Sequence, residues 1–152
     1  MRFFGITQSG MLQVFAAVLG TMAFSLLYGV PRKYYPYCGA IGGAGWLVYL
    51  AASSWGGILA SLVATMAVAL LSRLTAIRKR CPVTVFLITG IFPLVPGAQV
   101  YWMAYYFVTN ETGLAASHGY LAVKTAFAIV LGIVFVFEIP QRVFARRRKK
   151  EC

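Results

Sequence analysis

Acidic side chains are nearly missing from this chain. Glu111, Glu138 and Glu151 are its three carboxylates in 152 residues. With so few, there is no pair at general acid–base spacing and no series of buried acids to relay protons. Histidine occurs once, as His118 without a ligand-like neighbour, so no metal site and no cofactor are expected. Phosphate-cradling glycine loops and nucleophile–base arrangements are also missing, and enzyme activity has no support in the sequence. The three cysteines, Cys38, Cys81 and Cys152, all fall on the cytoplasmic side of the topology derived below. Thiols stay reduced there, so no disulfide is expected.

Charge as a whole is scarce. Charged residues make up 11% of the chain and hydrophobic ones 61%, with a mean hydropathy of +0.78; soluble domains carry about 25% charge. The composition predicts an all-α, polytopic membrane protein forming a single membrane domain over 1–152. Apolar runs cover about 11–30, 38–53, 56–72, 83–108 and 119–138, followed by a basic tail at 140–152. Since a helical span needs roughly 17 to 25 residues, five transmembrane helices are the most economical division. The run at 38–53 is the weakest of the five. The first run exceeds a signal-peptide core of about 7 to 15 residues. It ends in Tyr28-Gly29-Val30-Pro31 without a small-residue cleavage site, so it is expected to stay as the first helix.

The net charge of +11 invites comparison with nucleic-acid binders, but the placement of the charges argues against nucleic acid. Arg32 and Lys33 lie between the first two runs, and Arg73, Arg78, Lys79 and Arg80 between the third and fourth. Arg142, Arg146, Arg147, Arg148, Lys149 and Lys150 follow the fifth. With five spans, twelve of the fourteen basic residues share one side. The positive-inside rule then places the N-terminus outside and the C-terminus in the cytoplasm, with the lipid bilayer as first partner.

Ser53-Ser54-Trp55-Gly56-Gly57 reads as a tight outer turn between the second and third helices, with Trp46 and Trp55 at the outer interface. Gly39 and Gly43 are spaced for close helix packing, as are Ala60 and Ala64. Five spans supply one half of what many transporters build from two.

The most informative stretch is Gly90-Ile-Phe-Pro93-Leu-Val-Pro96-Gly97-Ala98-Gln99-Val100-Tyr101, inside the uncharged run Val83 to Val108. Each proline removes a backbone donor and clashes with the carbonyl four residues back. Broken backbone at membrane depth is tolerated only where protein buries it or a polar cavity lies beside it. The flanking helices, about 15 Å and 18 Å long at ~1.5 Å per residue, put the break near the centre of a ~30 Å core. Gly97 lets the backbone leave helical geometry, and Gln99 and Tyr101 add hydrogen-bonding groups. Two readings stay open on the residues alone: a proline kink that shapes packing, and a break that lines a substrate path. Lys124, about 9 Å inside the last span, reads either as a counter-charge for an anionic substrate group or as an anchor snorkelling to the interface. Glu138 is expected at the border, paired with Arg142 one turn on.

At Gly90-x-x-Pro93-x-x-Pro96-Gly97 followed by Tyr101, the chain resembles the threonine/serine exporter family, specifically its separately encoded small, C-terminal-type membrane module. The first apolar helix, the Val30-Pro31 exit, the glycine-rich second helix and the basic tail extend the resemblance over most of the chain. Trp102-Met103-Ala104-Tyr105-Tyr106 is more aromatic than the family pattern. The resemblance implies a small subunit of a two-component secondary exporter, hetero-oligomeric with a larger multi-helix membrane subunit of the same family. It implies export of small polar metabolites: threonine and serine, or a dicarboxylate such as succinate. The alternative is a non-transporting assembly or stabilising subunit whose kinked helix docks the partner. A third reading is a lipid-interacting scaffold that works through the tail.

Overall fold

Prolines and glycines set most helix boundaries in the computed structural model, which describes residues 10–139. Helix α1 (Gly10–Leu27) stops ahead of Gly29, at φ 65°, and Pro31. A 3₁₀ turn leads into α2 (Tyr35–Ala52), which carries Pro36 in its first turn, where a missing amide hydrogen leaves no bond unmade. The chain reverses through the turn Ser53–Trp55 and Gly56, whose φ of 108° and ψ of 143° are open essentially to glycine alone. Helix α3 (Gly57–Lys79) follows and is closed by Arg80 in the left-handed region, its N–H bonded to the Ala76 carbonyl. Pro82 precedes α4 (Val83–Ile91); the turn Phe92–Leu94, α5 (Gly97–Val108) and α6 (Thr112–Glu138) complete the described residues.

Helix α2 packs against α1, α3 and α4, and its glycines make that possible. Gly39 and Gly43 face Val18 of α1, Gly42 meets Thr21, and Gly45 meets Val68 of α3. The core gathers Cys38, Ile41, Ala64, Val68, Phe86, Leu94 and Ile129 from α2, α3, α4, the break and α6. Helix α6 approaches α3 at Gly132, where an added Cβ would stand 3.0 Å from the Leu62 carbonyl oxygen. Helix α5 is the exception, since it packs mainly on α6 and buries none of its residues.

Helices α1, α3 and α6 are long and apolar enough to cross a membrane. A fourth crossing is added if α4 and α5, bent by 51° at the break, count as one span. Helix α2, with 18 residues, is not among them, and it faces α1, α3 and α4.

Three helices extend past the apolar runs of the sequence. Helix α3 continues past the apolar run at 56–72 to Lys79, so Arg73 is a helical residue. Helix α6 begins at Thr112, so His118 lies within it and the preceding loop shrinks to a few residues around Asn110, at φ 61°. Helix α2 starts at Tyr35. Glu138 is the last residue of α6, while Arg142, Cys152 and the basic tail lie outside the described residues.

Candidate functional site

The break between α4 and α5 is held by a short series of backbone bonds. Pro96, lacking an amide hydrogen, cannot serve the Phe92 carbonyl, and the Val95 N–H takes that acceptor at 3.2 Å. The Gly97 N–H then bonds the Val95 carbonyl at 2.7 Å around Pro96, at φ −75° and ψ 52°, which is an inverse γ-turn. Phe24 of α1 stacks on Phe92 with ring centroids 3.4 Å apart and fixes the far side of the turn. The first amides of α5 have no intrahelical acceptors, so the positive end of its dipole sits at the break.

A cleft of about 650 Å³ opens beside this break, within the roughly 300 to 1,000 Å³ usual for small-molecule sites. Pro93 to Pro96, Ala98 and Gln99 form one wall. The end of α2, the start of α3 and two residues of α6, Leu121 and Thr125, form the others. Its polar groups are Gln99, Ser61, Thr125, Tyr49 and the indoles of Trp46 and Trp55, and no charged side chain lines it. Ser61 Oγ donates to the Gly57 carbonyl at 2.9 Å and Thr125 Oγ1 to the Leu121 carbonyl at 2.9 Å. Both hydroxyls thus keep acceptor lone pairs for a solute. Trp46 stacks on Tyr49 with centroids 5.1 Å apart, and its Nε1 is buried without a hydrogen-bond partner. The N-termini of α3 and α5 both end at this cleft, so a solute carboxylate or hydroxyl would meet free amides from two helices.

The residues singled out in the sequence do not all meet here. Pro93, Pro96 and Gln99 line the cleft. Gly90 lies deeper, packed against Ile41 and Val68, and Gly97 has open space around its Cα. Tyr101 is 62% exposed and makes an edge contact with Trp102 at 5.4 Å, apart from the cleft. The Lys124 ammonium rests 4.1 Å from the Tyr120 ring centroid, and the residue is not part of the cleft wall although Thr125 beside it is. Gly39 and Gly43 sit at the α1–α2 contact, away from the cleft. Among the described residues, no three His, Cys, Asp or Glu side chains come together to hold a metal.

Sequence reasoning passed over three features. Trp46 reads as an interface aromatic and Tyr49 was not singled out, yet both form a wall of the cleft, and the signal for them was their position one turn apart at the end of a helix facing the break. Ser61 carried no signal beyond lying a turn inside α3. Arg73 was counted among the loop charges, whereas it is 4% exposed and its guanidinium donates to the carbonyl of Val136 on α6.

A family model described as "Threonine/Serine exporter, ThrE" matches residues 13–139, most of the chain. The chain is also 33% identical over 89 residues to a probable threonine/serine exporter of Mycobacterium tuberculosis (strain ATCC 25618 / H37Rv). That match covers 58% of this chain and 17% of the relative, so the matched segment spans about a sixth of the relative's length. No solved structure matches.

Proposed function

Given that the chain belongs to the threonine/serine exporter family, we propose that it is the small subunit of a two-component secondary exporter of small polar metabolites in a bacterial cytoplasmic membrane. The family is one of transporters, and the apolar helices suit a membrane protein. In this reading α1, α2, α3, the α4–α5 pair and α6 are five spans. Arg32, Lys33, Arg78, Lys79 and Arg80 then lie at the cytoplasmic surface, and the Ser53–Trp55 turn lies outside. The solute would be a threonine- or serine-type amino acid, or a dicarboxylate such as succinate.

The observation that carries the reading is the cleft itself. A helix broken between two prolines stands beside a cavity with uncharged hydrogen-bonding groups, where a polar solute can exchange its hydration for amides and hydroxyls. Efflux in a strain lacking both this chain and its partner, restored by the parent pair or by the pair carrying Gln99→Leu, tests it. Normal assembly with impaired efflux supports the pathway, and unimpaired efflux by the variant contradicts it.

One observation favours the second reading, an assembly subunit without a transport path. Helix α5 buries none of its residues and presents Tyr101, Tyr105 and Phe107 outward, as a helix does when it meets a partner. In that case Gln99→Leu leaves efflux unchanged, and substitutions at Tyr101 and Tyr105 abolish the complex.

A further inference from the structure

Arg73 sits where a charged side chain is costly. It is 4% exposed within α3, whereas Arg78 and Lys79, about one and a half turns further on, are exposed and already serve as surface anchors. Anchoring therefore does not account for burying it. Its guanidinium instead donates to the carbonyl of Val136 in the last turn of α6, and its Cζ lies 5.3 Å from the Phe137 ring centroid. The Val136 carbonyl also accepts the Ile139 N–H at 3.3 Å, and it lies at the negative end of the helix dipole, so a guanidinium is well matched to its second lone pair.

What lies between this contact and the cleft gives it a further role. Ala69 of α3, Leu87 of α4 and Val136 of α6 form an apolar layer, with Met66, Val83, Ile91 and Ile133 packed against it. Above the layer, Thr65 of α3 meets Gly132 of α6, and above that Ser61 and Thr125 open into the cleft. The cleft thus ends on a packed seam between α3, α4 and α6, and the bond from Arg73 to Val136 crosses that seam at its far end. We propose that Arg73 is a positioning residue that latches this seam shut, so that a solute leaving or entering the cleft on the tail side requires the Arg73–Val136 contact to part. The proposal rests on the transport reading, because a seam that never opens needs no latch.

The test reads the seam and not export. In a chain whose native cysteines are serine, Leu87→Cys places a thiol in the layer, and its labelling by a water-soluble maleimide is followed in membranes containing the assembled complex. Adding Arg73→Gln is expected to raise the labelling rate about tenfold, the scale of one lost hydrogen bond to a charged group. Arg73→Met, which fills the same buried space without a donor, is expected to do the same and serves if glutamine prevents accumulation. Unchanged labelling in either variant at parental abundance overturns the latch. So does failure of both variants to accumulate, because that outcome makes Arg73 a folding residue. A parent complex that exports nothing while its Arg73 variants label faster would instead sink the transport reading and leave the closed seam standing.

Discussion

Gly90 of α4 lies against Ile41 of α2 with no room for a side chain: a Cβ added there would stand 2.8 Å from Ile41 Cγ2 and 3.0 Å from Val68 Cγ1. Ile41 is 4% exposed and Val68 is fully buried, so neither can swing away. The glycine that opens the family-like motif is therefore a packing residue that holds the first half of the broken span inside the bundle. Gly90→Ala should destabilise the chain by about 1 to 3 kcal/mol, the usual cost of overpacking. A lowered midpoint of thermal unfolding in detergent is the expected result.

Gly132 gives a second, sharper case, because one neighbour is backbone. An added Cβ would meet the Leu62 carbonyl oxygen and Thr65 Cβ, both at 3.0 Å. Gly132→Val should part α3 from α6 and lower the unfolding midpoint more than Gly90→Ala does. The same pair of unfolding curves checks both.

The helical class and the division of the fourth apolar run were legible because prolines act locally. Pro93 and Pro96 break a helix whatever surrounds them. The side-chain grouping was less legible. Gln99 and Tyr101 stand two residues apart, about 200° around a helix, so α5 cannot aim both at one cleft. Gly39 and Gly43 followed a recognisable four-residue spacing, while Gly42 and Gly45 did not, because α2 is packed on more than one face and needs small residues off that stripe. Arg73 was misplaced for a different reason. A charge after an apolar run looks like the end of a span, and only the approach of the last turn of α6 explains how the helix continues past it.

Gln99 is the polar side chain of the break that faces the cleft. Gln99→Leu keeps the volume and removes the amide, and the loss of one or two hydrogen bonds to a solute should weaken apparent affinity about tenfold. Concentration-dependent efflux measured at matched expression checks this, with the unfolding midpoint expected to stay near the parental value.

Gly97 separates backbone freedom from side-chain space. No atom lies within 4 Å of an added Cβ, so Gly97→Ala should fold at least as well as the parent and add up to about 1 kcal/mol through helix propensity. Efflux reduced in a variant of undiminished stability would show that the break must move during transport.

Lys124 is engaged with Tyr120 at 4.1 Å on its own helix and stands outside the cleft wall. Lys124→Gln should therefore change efflux less than Gln99→Leu does, for a neutral amino acid and for a dicarboxylate alike. A loss confined to the dicarboxylate would restore the counter-charge role to this lysine.

Solute access to the break is the point on which the functional account turns, and Ala98, small and set in the cleft wall, is the place to measure it. In a chain without other cysteines, Ala98→Cys should react with a membrane-impermeant thiol reagent applied from the Trp55 side, and threonine, serine or succinate should slow the reaction. A correctly inserted complex whose Ala98→Cys thiol never reacts, or reacts at a rate indifferent to all three solutes, would contradict the claim that the broken helix lines a pathway.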